Sequence, residues 1–173
     1  ISYAHGSHLA LDNISVEFAE NRITAIMGRS GSGKSTMLQV ILGLIRPDSG
    51  QVIVDNEAHS YPLSARERFR FGYVMQGNGL FPHLTVHENI SLPGKITRLT
   101  NKHARTRVNF LLGMAGLDGS CANKFPYQLS AGEQLRVAMS RAYFLDPPIL
   151  LMDEPFAGLD GKCKKDMHGE FML

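Results

Sequence analysis

The stretch Gly28-Arg29-Ser30-Gly31-Ser32-Gly33-Lys34-Ser35 decides how the rest of the chain is read. It matches Gly-x-x-x-x-Gly-Lys-Ser without a departure. Glycines tolerate the left-handed backbone angles that turn successive N–H groups inward, which makes a concave nest for an anion. A helix starting near Lys34 adds the positive end of its dipole at the same place. In this pattern the lysine reaches the β and γ phosphates of a nucleotide, and the Ser35 hydroxyl coordinates Mg2+. Residues 28–35 and the following Thr36 are therefore the candidate phosphate-binding set. The flanking sequence supplies the context that the motif needs. Ile23 to Met27 is a short apolar run, read as a buried strand entering the loop. Met37, Leu38, Ile41, Leu42 and Ile45 then recur at helical spacing, predicting a helix from Lys34 to Leu44 that Pro47 stops.

Outward from the loop, residues 11–18 alternate as an antiparallel strand near a sheet edge would. Gln51 to Val54 alternates after the turn Pro47-Asp48-Ser49-Gly50. Further on, Val108, Leu111, Leu112 and Ala115 share one face of a helix expected over 101–117. A second helix is expected over 131–145, with Leu135, Ala138, Met139 and Ala142 on its apolar stripe. Ile149-Leu150-Leu151-Met152 is an uninterrupted apolar strand. This order predicts an α/β fold: a nucleotide-binding core from 1–75 and 146–173, with a helical subdomain inserted at 76–145.

Two further constellations carry chemistry. The apolar strand delivers Asp153-Glu154, and a carboxylate at the carboxyl end of such a strand is placed to hold Mg2+ beside a phosphate loop, usually through water. That role suits Asp153, and the adjacent Glu154 can polarise an attacking water as general base. Ser130-Ala131-Gly132-Glu133 opens the second middle helix and has the Ser-x-x-Glu pattern of a capping box, which any helix start can use. The same N-terminus, with Gly132 leaving room, can also receive an anion. The residues alone leave both readings open.

Composition bounds the partners. The chain has 173 residues, 43% of them hydrophobic, and a net charge of +2, so it can bury a core and carries no charge excess that argues for nucleic acid. The basic clusters Arg66, Arg68, Arg70 and Lys95, Arg98, Lys102, Arg105, Arg107 read as solvated helical faces. No apolar run approaches the roughly 18 residues of a membrane span. Cys121 and Cys163 fit neither a disulfide framework nor a metal-ligand spacing.

The ordered series of phosphate loop, Gln76, Leu129 to Glu133, Ile149 to Glu154 and Gly158-Leu159-Asp160 resembles the nucleotide-binding domain of ABC transporters, over nearly the whole chain. The resemblance implies a P-loop NTPase core with an antiparallel edge and a helical subdomain, binding ATP and Mg2+. It implies that Lys34, Gln76 and Glu154 serve hydrolysis, and that Ser35, Gln76 and Asp153 serve the metal. It makes Ser130, Gly132 and Glu133 the signature that meets ATP held by a second subunit, and Asp160 a residue of that dimer interface. Ala131 stands where the family usually has Gly, and Glu133 where it often has Gln; both are expected to be tolerated. Tyr3 or His5 would stack on adenine. The family's switch histidine is expected beyond His168, past a chain that looks cut at both ends and lacks its last core strands.

Gly72 to Gln76, Gly79 to Thr85 and Pro147 to Phe156 further resemble the ATPases of osmoprotectant importers, which take up glycine betaine, choline and related quaternary amines. The resemblance thus implies an importer subunit that hydrolyses ATP on the cytoplasmic face of the membrane. Permease subunits and, through them, a solute-binding protein would be its partners, with no nucleic acid. Two alternatives accompany it: a truncated cassette that binds ATP without efficient turnover, and a soluble non-transport ATPase of the same family.

Overall fold

The computed structural model describes residues 1–157, which fall into two compact units dividing between Arg68 and Phe69. Asp160, Cys163 and His168 lie outside the described residues.

The first unit begins with an antiparallel hairpin, β1 (Tyr3–His5) and β2 (His8–Leu11), in which Ala4 pairs with Leu9 and His5 with His8. The edge of the hairpin is tied to the 48–49 turn: Ala4 N–H donates to the Asp48 carboxylate at 2.8 Å, and Ser2 N–H donates to the Ser49 carbonyl at 3.0 Å. Helix α1 (Lys34–Ile41) follows, shorter at its end than the expected Leu44 because Gly43 takes a left-handed φ of 65° and turns the chain. Leu38 and Val40 of α1 are buried, as are Leu11, Leu42 and Leu63 in the same unit. A second hairpin, β3 (Ile53–Val54) and β4 (Glu57–Ala58), turns through Asp55 and Asn56, both at positive φ, as the twist of a two-residue hairpin demands. Short helix α2 (Ala65–Arg68) closes the unit.

Two strand expectations are corrected here. Residues 23–27 form no strand; Ile23 is 76% and Met27 91% exposed. Residues 12–18 are likewise without strand structure, so the edge strand ends at Leu11. A strand exists only with a hydrogen-bonded neighbour: among the described residues, 12–18 meet a backbone partner only at Ile14, which pairs with Ile1, and 23–27 meet none.

In the second unit, β5 (Phe71–Val74) and β6 (Ile149–Met152) pair in parallel, in register from Phe71 with Ile149 to Val74 with Met152. The long crossover between them carries α3 (Val86–Ile96), α4 (Asn101–Met114), two short 3-10 turns and α5 (Ala131–Ala142). A parallel pair needs such a crossover, and helices are its usual content. One core gathers Val86 and Ile90 of α3, Val108, Leu111 and Leu112 of α4, and Val137 of α5, with Cys121 and Phe144. A smaller one lies where α5 meets the strands, from Val74, Leu135 and Ala138. Gly72 permits this second contact: a Cβ there would stand 2.5 Å from the Ala142 carbonyl oxygen. Both expected middle helices are present, each a few residues shorter at its C-terminus than its apolar periodicity suggests.

Candidate functional site

The phosphate loop keeps its helix and not its strand. Gly31 and Gly33 sit at φ 79° and 89°, angles that a side chain strongly disfavours. Gly33 is doubly constrained, since a Cβ would fall on the Ala10 carbonyl oxygen of β2. It is also the N-cap of α1 and, being glycine, brings no side chain of its own to the first N–H groups of that helix. Those donors and the helix dipole are what an anion would meet. Lys34 curls back over the loop, its ammonium donating to the carbonyls of Gly28 at 3.0 Å and Arg29 at 2.9 Å. Ser32 N–H donates to Arg29 O at 3.2 Å and tightens the turn, with Ser30 within it.

In the second unit, the parallel ladder extends one residue past β6: Asp153 N–H donates to Val74 O at 2.9 Å. Asp153 is thereby set at the carboxyl end of the strand pair, 7% exposed. Burial raises the Tyr73 phenol above the usual tyrosine range, and the charge of Asp153 pushes it the same way. Glu154 then takes φ 45°, a left-handed conformation uncommon for a glutamate. Its carboxylate accepts a hydrogen bond from Gln76 Nε2 at 3.1 Å. Gln76 and Glu154 are thus brought together across 78 positions of sequence, directly beyond the paired ends of β5 and β6.

The signature residues form a complete capping box on α5. Glu133 N–H donates to Ser130 Oγ at 3.3 Å, while Ser130 N–H and Oγ–H both donate to the Glu133 carboxylate at 2.8 Å. The backbone hydrogen bond from Ser130, then its hydroxyl, holds the Glu133 carboxyl below the usual range. Gly132 is buried in the first turn. At β1, the Tyr3 and His5 rings meet edge to face at 4.8 Å, with Tyr3 half-buried and His5 exposed, so both expected stacking candidates are in one place.

The sequence reading missed several residues around Gln76. Gly77, Asn78 and Gly79 are three successive left-handed residues, which the Gly-Asn-Gly pattern signals. Arg141 of α5 donates to the carbonyls of Gly79 at 2.8 Å and Asn78 at 3.1 Å. Asn89, fully buried in α3, binds both the N–H and the carbonyl of Phe81. Among the described residues there is no cluster of three or more His, Cys, Asp or Glu that could cage a metal unaided. No described helix is long and apolar enough to cross a membrane.

The sequence model of the ABC transporter family matches residues 11–157. A probable sulfate/thiosulfate import ATP-binding protein of Chlorella vulgaris is 41% identical, over 97% of this chain and 70% of its own. A sulfate/thiosulfate import ATP-binding protein of Vibrio vulnificus is 42% identical over 94% of this chain, and the corresponding protein of Synechocystis is 39% identical over 97%. The chain spans about half the length of these last two, 48% and 46%. Among solved structures, the dimeric ATP-binding cassette MJ0796 bound to ADP and Pi is similar with a TM-score of 0.81 and 36% identity, covering 98% of this chain and 77% of that one. The cbiO1 protein of Clostridium perfringens, part of an ABC transporter complex, gives a TM-score of 0.85 at 30% identity, covering 98% and 69%. These relatives are named for sulfate and thiosulfate import and lend no support to the expectation of quaternary-amine osmoprotectants. The phosphate loop, the Asp153-Glu154 strand end and the capped signature helix all lie within or close beside the matched span, and the chain belongs to the ABC transporter family as an ATP-binding domain of the P-loop NTPase fold.

Proposed function

We propose that the chain is the ATP-hydrolysing, energy-coupling part of an importer for sulfate, thiosulfate or a similar small oxyanion. The hydrogen bond between Gln76 and Glu154 at the end of the strand pair carries the catalytic reading. It sets a general-base carboxylate beside an amide that can orient water, and the left-handed backbone at Glu154 fixes that carboxylate's direction.

The nucleotide's phosphates are bound by the N–H groups of residues 28–36 and by Lys34, whose ammonium exchanges its two loop carbonyls for phosphate oxygens. Ser35, Asp153 and Gln76 would hold Mg2+, which would neutralise charge developing on the phosphates. Glu154 takes a proton from the attacking water. Tyr3 or His5 stacks on the adenine. Ser130, Gly132 and Glu133 meet the γ-phosphate of ATP held by a second copy, and Asp160 belongs to the same interface. The signature's role rests on resemblance, because its hydrogen bonds alone are those of any capping box. The solute class follows the names of relatives that are 39–42% identical. Nothing in this chain is proposed to touch the solute, which would reach the membrane partners from a binding protein. Peripheral attachment at the cytoplasmic face would come through those partners.

Association tests the shared site. Sedimentation velocity of the full-length protein carrying Glu154→Gln is expected to show a dimer with Mg-ATP and a monomer with Mg-ADP. A species whose mass ignores the nucleotide would contradict the reading.

A further inference from the structure

The loop that follows Gln76 has little to hold it in place by itself. Gly77, Asn78 and Gly79 take φ values of 74°, 66° and 56°, a run that forms no helix or strand. Among the described residues, its own backbone contributes only two short-range hydrogen bonds, Asn78 N–H to Met75 O at 3.1 Å and Gly79 N–H to Gly77 O at 2.8 Å. Two glycines in three residues carry a large conformational entropy. Nevertheless, the side chain directly before this run makes a specific hydrogen bond to Glu154.

The missing restraint comes from α5. Arg141, in its last turn, spreads its guanidinium over the loop: Nη1 donates to Gly79 O at 2.8 Å and Nη2 to Asn78 O at 3.1 Å. The guanidinium carbon also lies 5.7 Å from the centre of the Phe81 ring. Among the described residues no carboxylate pairs with Arg141, and burial lowers its pKa from the ordinary arginine value. A half-buried cation satisfied by loop carbonyls and an aromatic face is costly as a stabilising device alone. Its fixed fork nonetheless suits the task of holding two adjacent carbonyls in one geometry.

We propose that Arg141 is a positioning residue for hydrolysis: by clamping the Asn78 and Gly79 carbonyls to α5, it holds Gln76 against Glu154. Because α5 starts at the Ser130 capping box, the same rigid helix joins the signature to the loop that carries Gln76. The inference rests on the functional reading above, since it assigns Gln76 and Glu154 to the chemistry.

The test compares Arg141→Ala and Arg141→Lys in the full-length protein. Lysine keeps the charge and can reach one carbonyl, but it has no fork. A loosened Gln76 is expected to lower kcat at least about tenfold in Arg141→Ala, because small misplacements of reacting groups are expensive. KM for ATP is expected to stay unchanged, and Arg141→Lys to fall between the two. On a Gln76→Ala background, Arg141→Ala is expected to add no further loss, as for two residues acting as one unit. Hydrogen exchange should quicken at the amides of residues 77–81 while α5 stays protected. Unchanged kcat, additive losses in the double variant, or faster exchange throughout α5 would each overturn the proposal. A parent protein that releases no phosphate would overturn the functional reading, whereas unchanged loop exchange in Arg141→Ala would overturn this one.

Discussion

Asn89 shows how much one side chain can fix. It is fully buried, and its Oδ1 accepts from Phe81 N–H at 2.9 Å. Its Nδ2 lies within hydrogen-bonding distance of the carbonyls of Phe81, Leu84 and Thr85, at 3.0–3.1 Å. The turn after the Gln76 loop is thus pinned to α3 by a single amide. Asn89→Ala would strand these buried backbone groups and is expected to cost about 2–4 kcal/mol, from a penalty of about 1–3 for each unsatisfied group. Asn89→Asp has nearly the same shape but turns a carboxylate on carbonyl oxygens. It is expected to be the more destabilising of the two in urea unfolding at neutral pH, and the reverse order would contradict the hydrogen-bond assignment. None of this was visible beforehand, because an asparagine in an unassigned segment carries no mark of burial. The Gln76–Glu154 contact was hidden for another reason. Each residue stood out by itself, but a hydrogen bond across 78 positions depends on the register of β5 with β6.

Elements were legible in proportion to how local their causes are. The phosphate-loop helix, α4, α5 and the β6 strand follow from periodicity and breakers within a dozen residues. Residues 23–27 failed because apolar β-branched composition indicates what a strand can bury, not whether a neighbour exists to pair with it. Helix α3 escaped because Pro93-Gly94 reads as a breaker, although Pro93 falls in its last turn and Gly94 makes room for Phe144. A better signal was present at its start. Ser64-x-x-Glu67, Thr85-x-x-Glu88 and Ser130-x-x-Glu133 all close the same reciprocal hydrogen bonds at the starts of α2, α3 and α5. Only the third was recognised from sequence.

These boxes also predict an acid response. Hydrogen bonds from the serine or threonine hold all three carboxyls below the usual 4.5, Glu67 at about 2. A depressed native pKa contributes stability above the unfolded value that is lost as pH falls through the folded one. Helix capping should therefore hold at neutral pH and weaken from about pH 4.5 downward, for Glu67 until about pH 2. Glu88→Gln and Glu133→Gln cannot gain that proton. Thermal melts are expected to show the gap between the parent and each variant narrowing toward acid, and a gap independent of pH would count against the boxes.

At the scale of the whole molecule, family membership was the most legible property, because five short motifs in fixed order are hard to produce otherwise. The solute was the least, since no residue that would contact it need lie in this chain. ATP chemistry is therefore the property to test, and the most direct measurement sets nucleotide binding beside phosphate release in one full-length protein and two variants. Lys34→Ala is expected to lose both, because the phosphates lose their cation. Glu154→Gln is expected to bind ATP as the parent does while releasing phosphate at least about a hundredfold more slowly, the scale of a general base's contribution. A Glu154→Gln protein that releases phosphate at the parent's rate would contradict the central claim.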